Sequence, residues 1–527
     1  VPDVVHLKGR STSWVIAVDD GIPVVLHWGA PLADVEARRI AAALERPVGR
    51  GGLDVEAPVS LLPERARGFP GRAGLVGARS DGSAWAARFV ATEIEVDAEG
   101  AALHWRGRDD VAGLELDLEV RADDGRGLAR IGCALVNIGT SDYGLQRLAP
   151  TLPLPAQATE LRRFHGRWCR ELHPDQAPWP IGALVDENHR GRTSHDHIPI
   201  VFAGTAAFGE DHGEVWGLHL AWSGNHVLAA ERLVDGRRYL QAGELLESGE
   251  VVLAPGERYE APTLFAAHGS GANEVSAAFH TWIRARTTHP RRPRPVTLNT
   301  WEAIYFDHDH EVLRALAERA ASVGIERFVL DDGWFGGRRD DRAGLGDWYV
   351  SPDVYPDGLA PLIDHVRALG MEFGLWVEPE MVNPDSELFR AHPDWVLAPE
   401  GYPPVLGRGQ LVLDLARAEV GDHLYERLDA LLRENDIAYL KWDMNRDLVH
   451  PTHDGCAGTH AQTVALYALL DRLRAAHPDV EIESCSSGGG RVDLAILERT
   501  CRVWASDCND PLERAVIQRG FSHFLPP

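Results

Sequence analysis

The sequence predicts a multidomain chain: an antiparallel β-sandwich over residues 1–285, then a (β/α)8 TIM-type barrel over residues 286–527 that is incomplete. Three observations point there. Apolar residues recur at period two through roughly the first 280 positions. Beyond a Pro- and Arg-rich connector, strand-like and helix-like runs alternate. Each of those later strands ends in a cluster of polar and aromatic residues. A length of 527 residues suits two to four domains at roughly 100–200 residues each.

In the first part, AALHWRG, LELDLEVRA, ARIGCALVN and VVLAPGERYEAPTL are short alternating runs. They are separated by the turn sequences DAEG, DDGRG, DGRR and SGE. Even spacing of such runs predicts a large antiparallel sandwich. Around HTWIRARTTHPRRPRPVTLNTW a helical stretch gives way to the connector Thr288 to Pro295, which marks the domain boundary.

Past the connector, VTLNTW is followed by helix-like EVLRALAERAASVG and then RFVLDDGWF. LIDHVRALG precedes EFGLWVEPE, and GDHLYERLDALLREND precedes AYLKWDMN. TVALYALLDRLRAAHP leads into VEIESCSSGGG, and VDLAILERT into RVWASDCND. Repeated units with buried apolar strands predict a parallel sheet with its site at the strands' C-terminal ends. Six strands end this way, two short of a closed barrel, so the chain is expected to be a truncated version of a longer protein.

Composition narrows the function. The chain is 44% hydrophobic and 25% charged, which excludes disorder, and its formal net charge is −26. Such a surface repels phosphate backbones and anionic lipid, so neither nucleic acid nor membrane is an expected partner. Six scattered cysteines make no disulfide framework, and no CxxC pair has zinc spacing. The opening VPDVVHLKGR has no apolar h-region, and no apolar run approaches eighteen residues. A soluble, cytoplasmic protein is therefore expected, although a start at Val1 leaves a removed signal peptide open.

The chemistry sits at the strand ends. Lysine occurs only as Lys8 and Lys441 in a chain that otherwise uses arginine. Lys441 and Asp443, two apart on a strand, share a face. An ammonium there keeps the carboxylate ionised, which suits a nucleophile; a salt bridge closing the barrel end is the structural alternative. Asp507 follows two strands later, with Asp510 nearby to hold one carboxyl protonated. The structural alternative is an N-cap on the helix begun by PLERAVIQ, from Ser506, Asp507, Asn509 or Asp510, with Asp510 favoured over Asp507 for that role. One ionised and one protonated carboxyl is the division of labour of a retaining glycosidase.

Asp331 and Asp332 end another strand, where they suit sugar hydroxyls or a divalent cation. Trp334, Trp376, Trp442 and Trp504 lie near strand ends, where rings stack on a pyranose or fill the core. ESCSSGGGR lacks the spacing of a nucleophile elbow. It reads as a Gly-rich turn that lets backbone approach a ligand, with Cys485 on the pocket wall. FDHDH looks metal-like but has no further clustered ligands, so no metal or cofactor is expected.

LNTWEAIYFDHD, LDDGWFGGRRDD, DWYVSPDVYPDGL, GLWVEPEMVNPDS, LVLDL, KWDMNR, ESCSSGGGRVD and WASDCND occur in one order. From about residue 290 onward the chain thereby resembles the α-galactosidases of glycoside hydrolase family 36 (clan D). HGRWCRE, before GRTSHDHIP, resembles the loop bordering that family's active site, and the first half resembles its β-supersandwich. The resemblance implies a retaining, cofactor-free hydrolase of terminal α-1,6-linked galactose, as in melibiose and raffinose-type oligosaccharides. It implies Asp443 as nucleophile and Asp507 as general acid/base. Asp331 and Asp332 would hold the galactose O4 and O6 hydroxyls. Trp376, Arg408, Lys441, Trp442, Met444, Asn445, Cys485 and Gly488 would surround the same subsite. A homotetramer is implied, with Trp168 reaching a neighbouring subunit's site.

Two departures from the family stand out. The rest of the barrel and a C-terminal β-domain are absent from this chain, and GRGQ replaces the more usual GRNQ at Gly407 to Gln410. Rival functions are an α-N-acetylgalactosaminidase or a raffinose-synthase-like galactosyltransferase on the same scaffold. A non-catalytic carbohydrate-binding protein and a metal-dependent barrel enzyme are more distant alternatives.

Overall fold

The computed structural model describes residues 3–19, 21–43, 57–123, 125 and 127–527. Val1 and Pro2 of the opening segment, and Asp124 and Arg126 of the DDGRG turn, lie outside the described residues. The chain divides into two compact units. One gathers Val1–His189, Thr193–Arg286 and Asn509–Pro527; the other gathers Arg190–Arg192 and Thr287–Cys508. Among the described residues no helix is long and apolar enough to cross a membrane.

The first unit is antiparallel. Leu114–Arg121 shows why: its residues alternate strictly between buried and half-buried, so one side of the strand faces the core. It pairs with Ala102–Asp109 on one side and Ala129–Asn137 on the other, within a ten-stranded sheet. A four-stranded sheet, in the order Thr151–Leu154, Arg238–Glu244, His226–Arg232, Gly182–Asn188, packs against that larger sheet. Face-to-face antiparallel sheets make this unit a β-sandwich.

Two helices complete the first unit. Ala272–Ala285 lays Val275, Phe279, Trp282 and Ile283 on the large sheet. Pro511–Phe521, from the far end of the sequence, packs on the strand Arg170–Pro178. There Gly520 is required: a Cβ at that position would stand 2.0 Å from the Leu172 carbonyl oxygen. Asp510 is the N-cap of this helix and accepts from the Leu512 and Glu513 amides, which realises the capping alternative for that residue.

The second unit holds six parallel strands in sequence order: β1 (Thr297–Asn299), β2 (Arg327–Leu330), β3 (Glu372–Val377), β4 (Tyr439–Trp442), β5 (Glu481–Ser484) and β6 (Arg502–Val503). Helices His310–Ser322, Ala360–Ala368, Ala418–Glu434 and Thr459–Ala476 connect them. The result is an open, incomplete (β/α)8-type barrel. β2 is buried throughout (Arg327, Phe328, Val329, Leu330), as a strand covered on both faces must be. VDLAILERT forms only the short helix Leu494–Leu497, with Asp493 as its N-cap.

Candidate active site

The parallel register aligns the strand ends. Trp376 of β3 pairs with Lys441 of β4, and Trp442 pairs with Ser484 of β5. The ladder continues briefly past the strands: the Asp443 N–H donates to the Val377 carbonyl at 2.8 Å and the Cys485 N–H to the Trp442 carbonyl at 2.8 Å. Asp331, Glu378, Asp443 and Cys485 are therefore the first residues beyond four adjacent strands. This is the end at which βα-barrel sites form.

Asp443 is buried and receives four hydrogen bonds. Trp376 Nε1 (3.0 Å) and Asn445 Nδ2 (2.8 Å) donate to Oδ2; the Met444 (2.8 Å) and Ser487 (3.2 Å) amides donate to Oδ1. Burial by itself pushes this carboxyl up, but Lys441, Trp376, Asn445 and Cys485 together outweigh it. The net effect holds Asp443 below the usual carboxylate range, ionised and with both oxygens oriented. Ser487 is available because the Gly-rich turn folds back, with Ser487 at φ 48° and Gly488 at φ 76°. A backbone amide thus approaches the carboxylate where a bulkier turn would stand off.

Lys441 acts on Asp443 through its charge while making its ion pair elsewhere: Nζ lies 2.9 Å from Asp331 Oδ2. Asn299 also donates to that oxygen, at 2.5 Å. Asp332 forms a fork with Arg338, Nε to Oδ1 at 2.9 Å and Nη2 to Oδ2 at 2.8 Å, with both side chains buried. Burial raises the Asp332 carboxyl and Arg338 only partly offsets it. Arg338 Nη1 donates to Asn383 Oδ1 (3.0 Å), and Asn383 Nδ2 donates to the Gly409 carbonyl (2.8 Å).

That last bond fixes the hairpin bearing Arg408. Gly407 and Gln410 exchange backbone hydrogen bonds of 3.2 and 2.9 Å, with Arg408 (φ 54°) and Gly409 (φ 72°) both left-handed between them. This is a two-residue hairpin of the primed type, which favours Gly or Asn. The GRGQ departure therefore preserves the turn. Desolvation works against the Arg408 charge, but Glu378, Asp443, Asp332 and Asp341 outweigh it and keep the guanidinium protonated.

Asp507 lies past β6 and accepts from Trp504 Nε1 at 2.8 Å. It shares a neighbourhood with Asp443. Burial chiefly, and then the charges of both carboxylates, raise the Cys485 thiol, while Lys441 opposes them.

The tryptophans divide by role. Trp376 gives its N–H to Asp443 and Trp504 gives its own to Asp507. Trp334 is fully buried, with its N–H on the Trp376 carbonyl. Trp442 is buried with its N–H on Glu380 Oε1 at 2.9 Å, so neither of these two rings has an open face. Met444 meets Asp443 through its backbone amide and buries its side chain. Trp168 belongs to the first unit, exposed at the turn between the strands Glu160–Arg167 and Arg170–Pro178. His308 contacts the Asp332 carbonyl (2.9 Å) and the Tyr355 hydroxyl (2.8 Å).

Several side chains that build the site escape a reading of the sequence. Glu378 and Glu380 sit in WVEPE, where the strand-end rule applied to the aspartates would flag them. Glu380 pairs with Arg491 at 2.7 Å, bracing the loop after β5. Arg192 has no local signal at all. It donates to the Met444 carbonyl (2.8 Å), the Ser486 carbonyl (3.0 Å) and Asp447 Oδ1 (2.9 Å), tying together the turns after β4 and β5.

Comparison with known proteins gives the family and the overall fold. The melibiase profile matches residues 258–527 and the N-terminal domain profile of glycosyl hydrolase family 36 matches residues 21–254. An Escherichia coli alpha-galactosidase is 47% identical over 506 residues, covering 95% of this chain and 71% of that protein. Alpha-galactosidase AgaA of Geobacillus stearothermophilus is 36% identical over 450 residues, covering 83% of this chain but 61% of the relative. The crystal structure of AgaA superimposes with a TM-score of 0.93 at 30% identity, covering 99% of this chain and 78% of that one. With both profiles together spanning almost its full length, the chain belongs to glycoside hydrolase family 36, the family of the α-galactosidases and melibiases.

Proposed function

We propose that this protein is a retaining α-galactosidase, releasing terminal α-1,6-linked galactose from melibiose- and raffinose-type oligosaccharides without a cofactor. The observation that carries this is the treatment of Asp443: a buried carboxylate receiving four hydrogen bonds beside an ammonium. Asp443 attacks the anomeric carbon as Asp507 protonates the leaving oxygen. Water, with Asp507 now acting as base, then hydrolyses the covalent galactosyl–enzyme. Asp331, Asp332, Trp376, Arg408, Lys441, Asn445, Cys485 and Gly488 form the galactose subsite around this pair, with Trp442 and Met444 as its buried backing. Structures of AgaA variants with raffinose and with stachyose support this substrate class.

The finer assignments complete this proposal. Residues 1–285 form the sandwich domain and residues 286–527 the barrel domain, except that the final helix Pro511–Phe521 packs with the sandwich. The protein is cytoplasmic and homo-oligomeric, a tetramer in which Trp168 serves a neighbouring subunit. Its charge of −26 keeps nucleic acid away.

The test is hydrolysis of p-nitrophenyl α-galactoside, with the released anomer followed by proton NMR at early times. Initial α-galactose supports both substrate class and double displacement. Initial β-galactose refutes retention, and preference for the N-acetylgalactosaminide refutes the sugar assignment.

A further inference from the structure

One fully buried carboxyl takes no part in that reaction scheme. Glu378 is 0% exposed and is the first residue past β3. Its Oε2 accepts from Gln410 Nε2 at 3.0 Å, and its Oε1 accepts from the backbone N–H of Asn445. The preceding carbonyl, that of Val377, accepts the Asp443 N–H. The Glu378 side chain therefore carries the β3–β4 ladder one step beyond the point where backbone pairing ends. It anchors the peptide two residues past Asp443. From that anchored position Asn445 Nδ2 reaches Asp443 Oδ2 at 2.8 Å, while Asn445 Oδ1 accepts from Ser487 Oγ at 3.1 Å.

We propose that Glu378 is a positioning residue for Asp443, fixing the Asn445 peptide so that the Asn445 amide stays on the Asp443 carboxylate. This rests on the reading of Asp443 as nucleophile. Without the Glu378 acceptor, the half-buried Asn445 N–H loses its partner and the turn after β4 relaxes to find another. The Asn445 amide then leaves Asp443.

The charges around Glu378 give the clamp a pH dependence. The groups facing it are Asp443 and Arg408, together with the amides of Gln410 and Asn445. Burial above all, and then the Asp443 charge, push its carboxyl up to about 8; Arg408 and the Asn445 hydrogen bonds oppose this. Below that pH Glu378 holds a proton, and Asp443 faces a neutral neighbour. Above it a second negative charge stands beside Asp443, competes for Arg408 and repels the carboxylate. Activity therefore declines on the alkaline side as Glu378 ionises.

The experiment compares wild type with Glu378→Gln and Glu378→Ala in the full chain. It uses p-nitrophenyl α-galactoside from pH 5 to 9, thermal melts and crystal structures of each. The expected result for Glu378→Ala is a kcat roughly 10- to 100-fold lower with KM within about threefold, from the orphaned N–H. The 2.8 Å Asn445–Asp443 contact should also be lost. Glu378→Gln keeps the acceptor and the shape, so it should recover most of kcat at pH 6 and lack the decline near pH 8. A folded Glu378→Ala with wild-type kcat and an intact Asn445–Asp443 contact overturns the proposal. So does a Glu378→Gln that retains the wild-type alkaline limb. An inactive wild type would refute the proposed function, while the crystallographic contact would still decide whether Glu378 positions Asn445.

Discussion

Replacing Lys441 by Met tests the electrostatics of the site most directly. Lys441 Nζ lies 2.9 Å from Asp331 Oδ2, and the two side chains are 12% and 5% exposed. At an effective dielectric of about 20 the gross attraction at that distance is about 6 kcal/mol. Removing one partner of such a buried pair costs about 3–5 kcal/mol, because the other charge stays behind uncompensated. For a unit of this size the cost corresponds to a melting temperature lower by roughly 6–20 °C. Adding Asp331→Asn to Lys441→Met removes the stranded charge and should restore part of the loss.

The same change alters the pH profile. Burial alone would raise the Asp443 carboxyl, and Lys441 is the leading influence holding it down. A carboxylate with a depressed pKa contributes stability that is present above its unfolded value and lost as pH falls through its folded value. Without Lys441 the Asp443 pKa rises, so the acid limb of activity moves to higher pH. The assay is kcat/KM on p-nitrophenyl α-galactoside across that limb, alongside thermal melts of the single and double variants. An unmoved acid limb in a folded Lys441→Met protein refutes the role assigned to the ammonium. Absence of any recovery in the double variant refutes the pairing with Asp331.

Two further changes probe the supporting structure. Arg192→Met deprives the Met444 and Ser486 carbonyls of a donor and leaves Asp447 without that partner. It should lower stability by about 3–5 kcal/mol in urea unfolding and reduce kcat more than it changes KM; an unchanged kcat would show that the two turns hold their geometry without it. Gly409→Asn should be nearly neutral, within about 0.5 kcal/mol by thermal melt. Asn accepts a φ of 72°, and a Cβ there would meet the Asp341 carbonyl oxygen at an ordinary 3.4 Å. Gly409→Val at the same φ should cost about 1–3 kcal/mol, and equal melting temperatures for the two variants would contradict the hairpin assignment.

Features that depend on short range are legible in the residue order alone. The period-two run LELDLEVR is a strand with one buried side because successive side chains point to opposite faces wherever the chain is extended. Apolar strands interleaved with amphipathic helices leave a parallel sheet as the way to bury both faces, and such a sheet gathers its strand-end residues at one end. The gathering of Asp331, Asp443 and Cys485 at one end of the sheet was therefore legible in the residue order, and the long motifs carried the family.

Tertiary structure decided the partners. Lys441 and Asp443 share a strand face, yet the ammonium pairs with Asp331, 110 positions away, at the end of a strand separated from β4 in the sheet by β3 alone. Trp442 stands at a strand end, but that its indole N–H is taken by Glu380 follows only from the packing of the turn after β3. Arg192, far upstream in sequence, closes the turns after β4 and β5, and the C-terminal helix Pro511–Phe521 joins the sandwich rather than the barrel. Periodicity records which way a side chain points relative to its neighbours in the chain. Ion pairs and hydrogen bonds depend instead on which strands and turns meet in space, and that is fixed only when the whole unit packs.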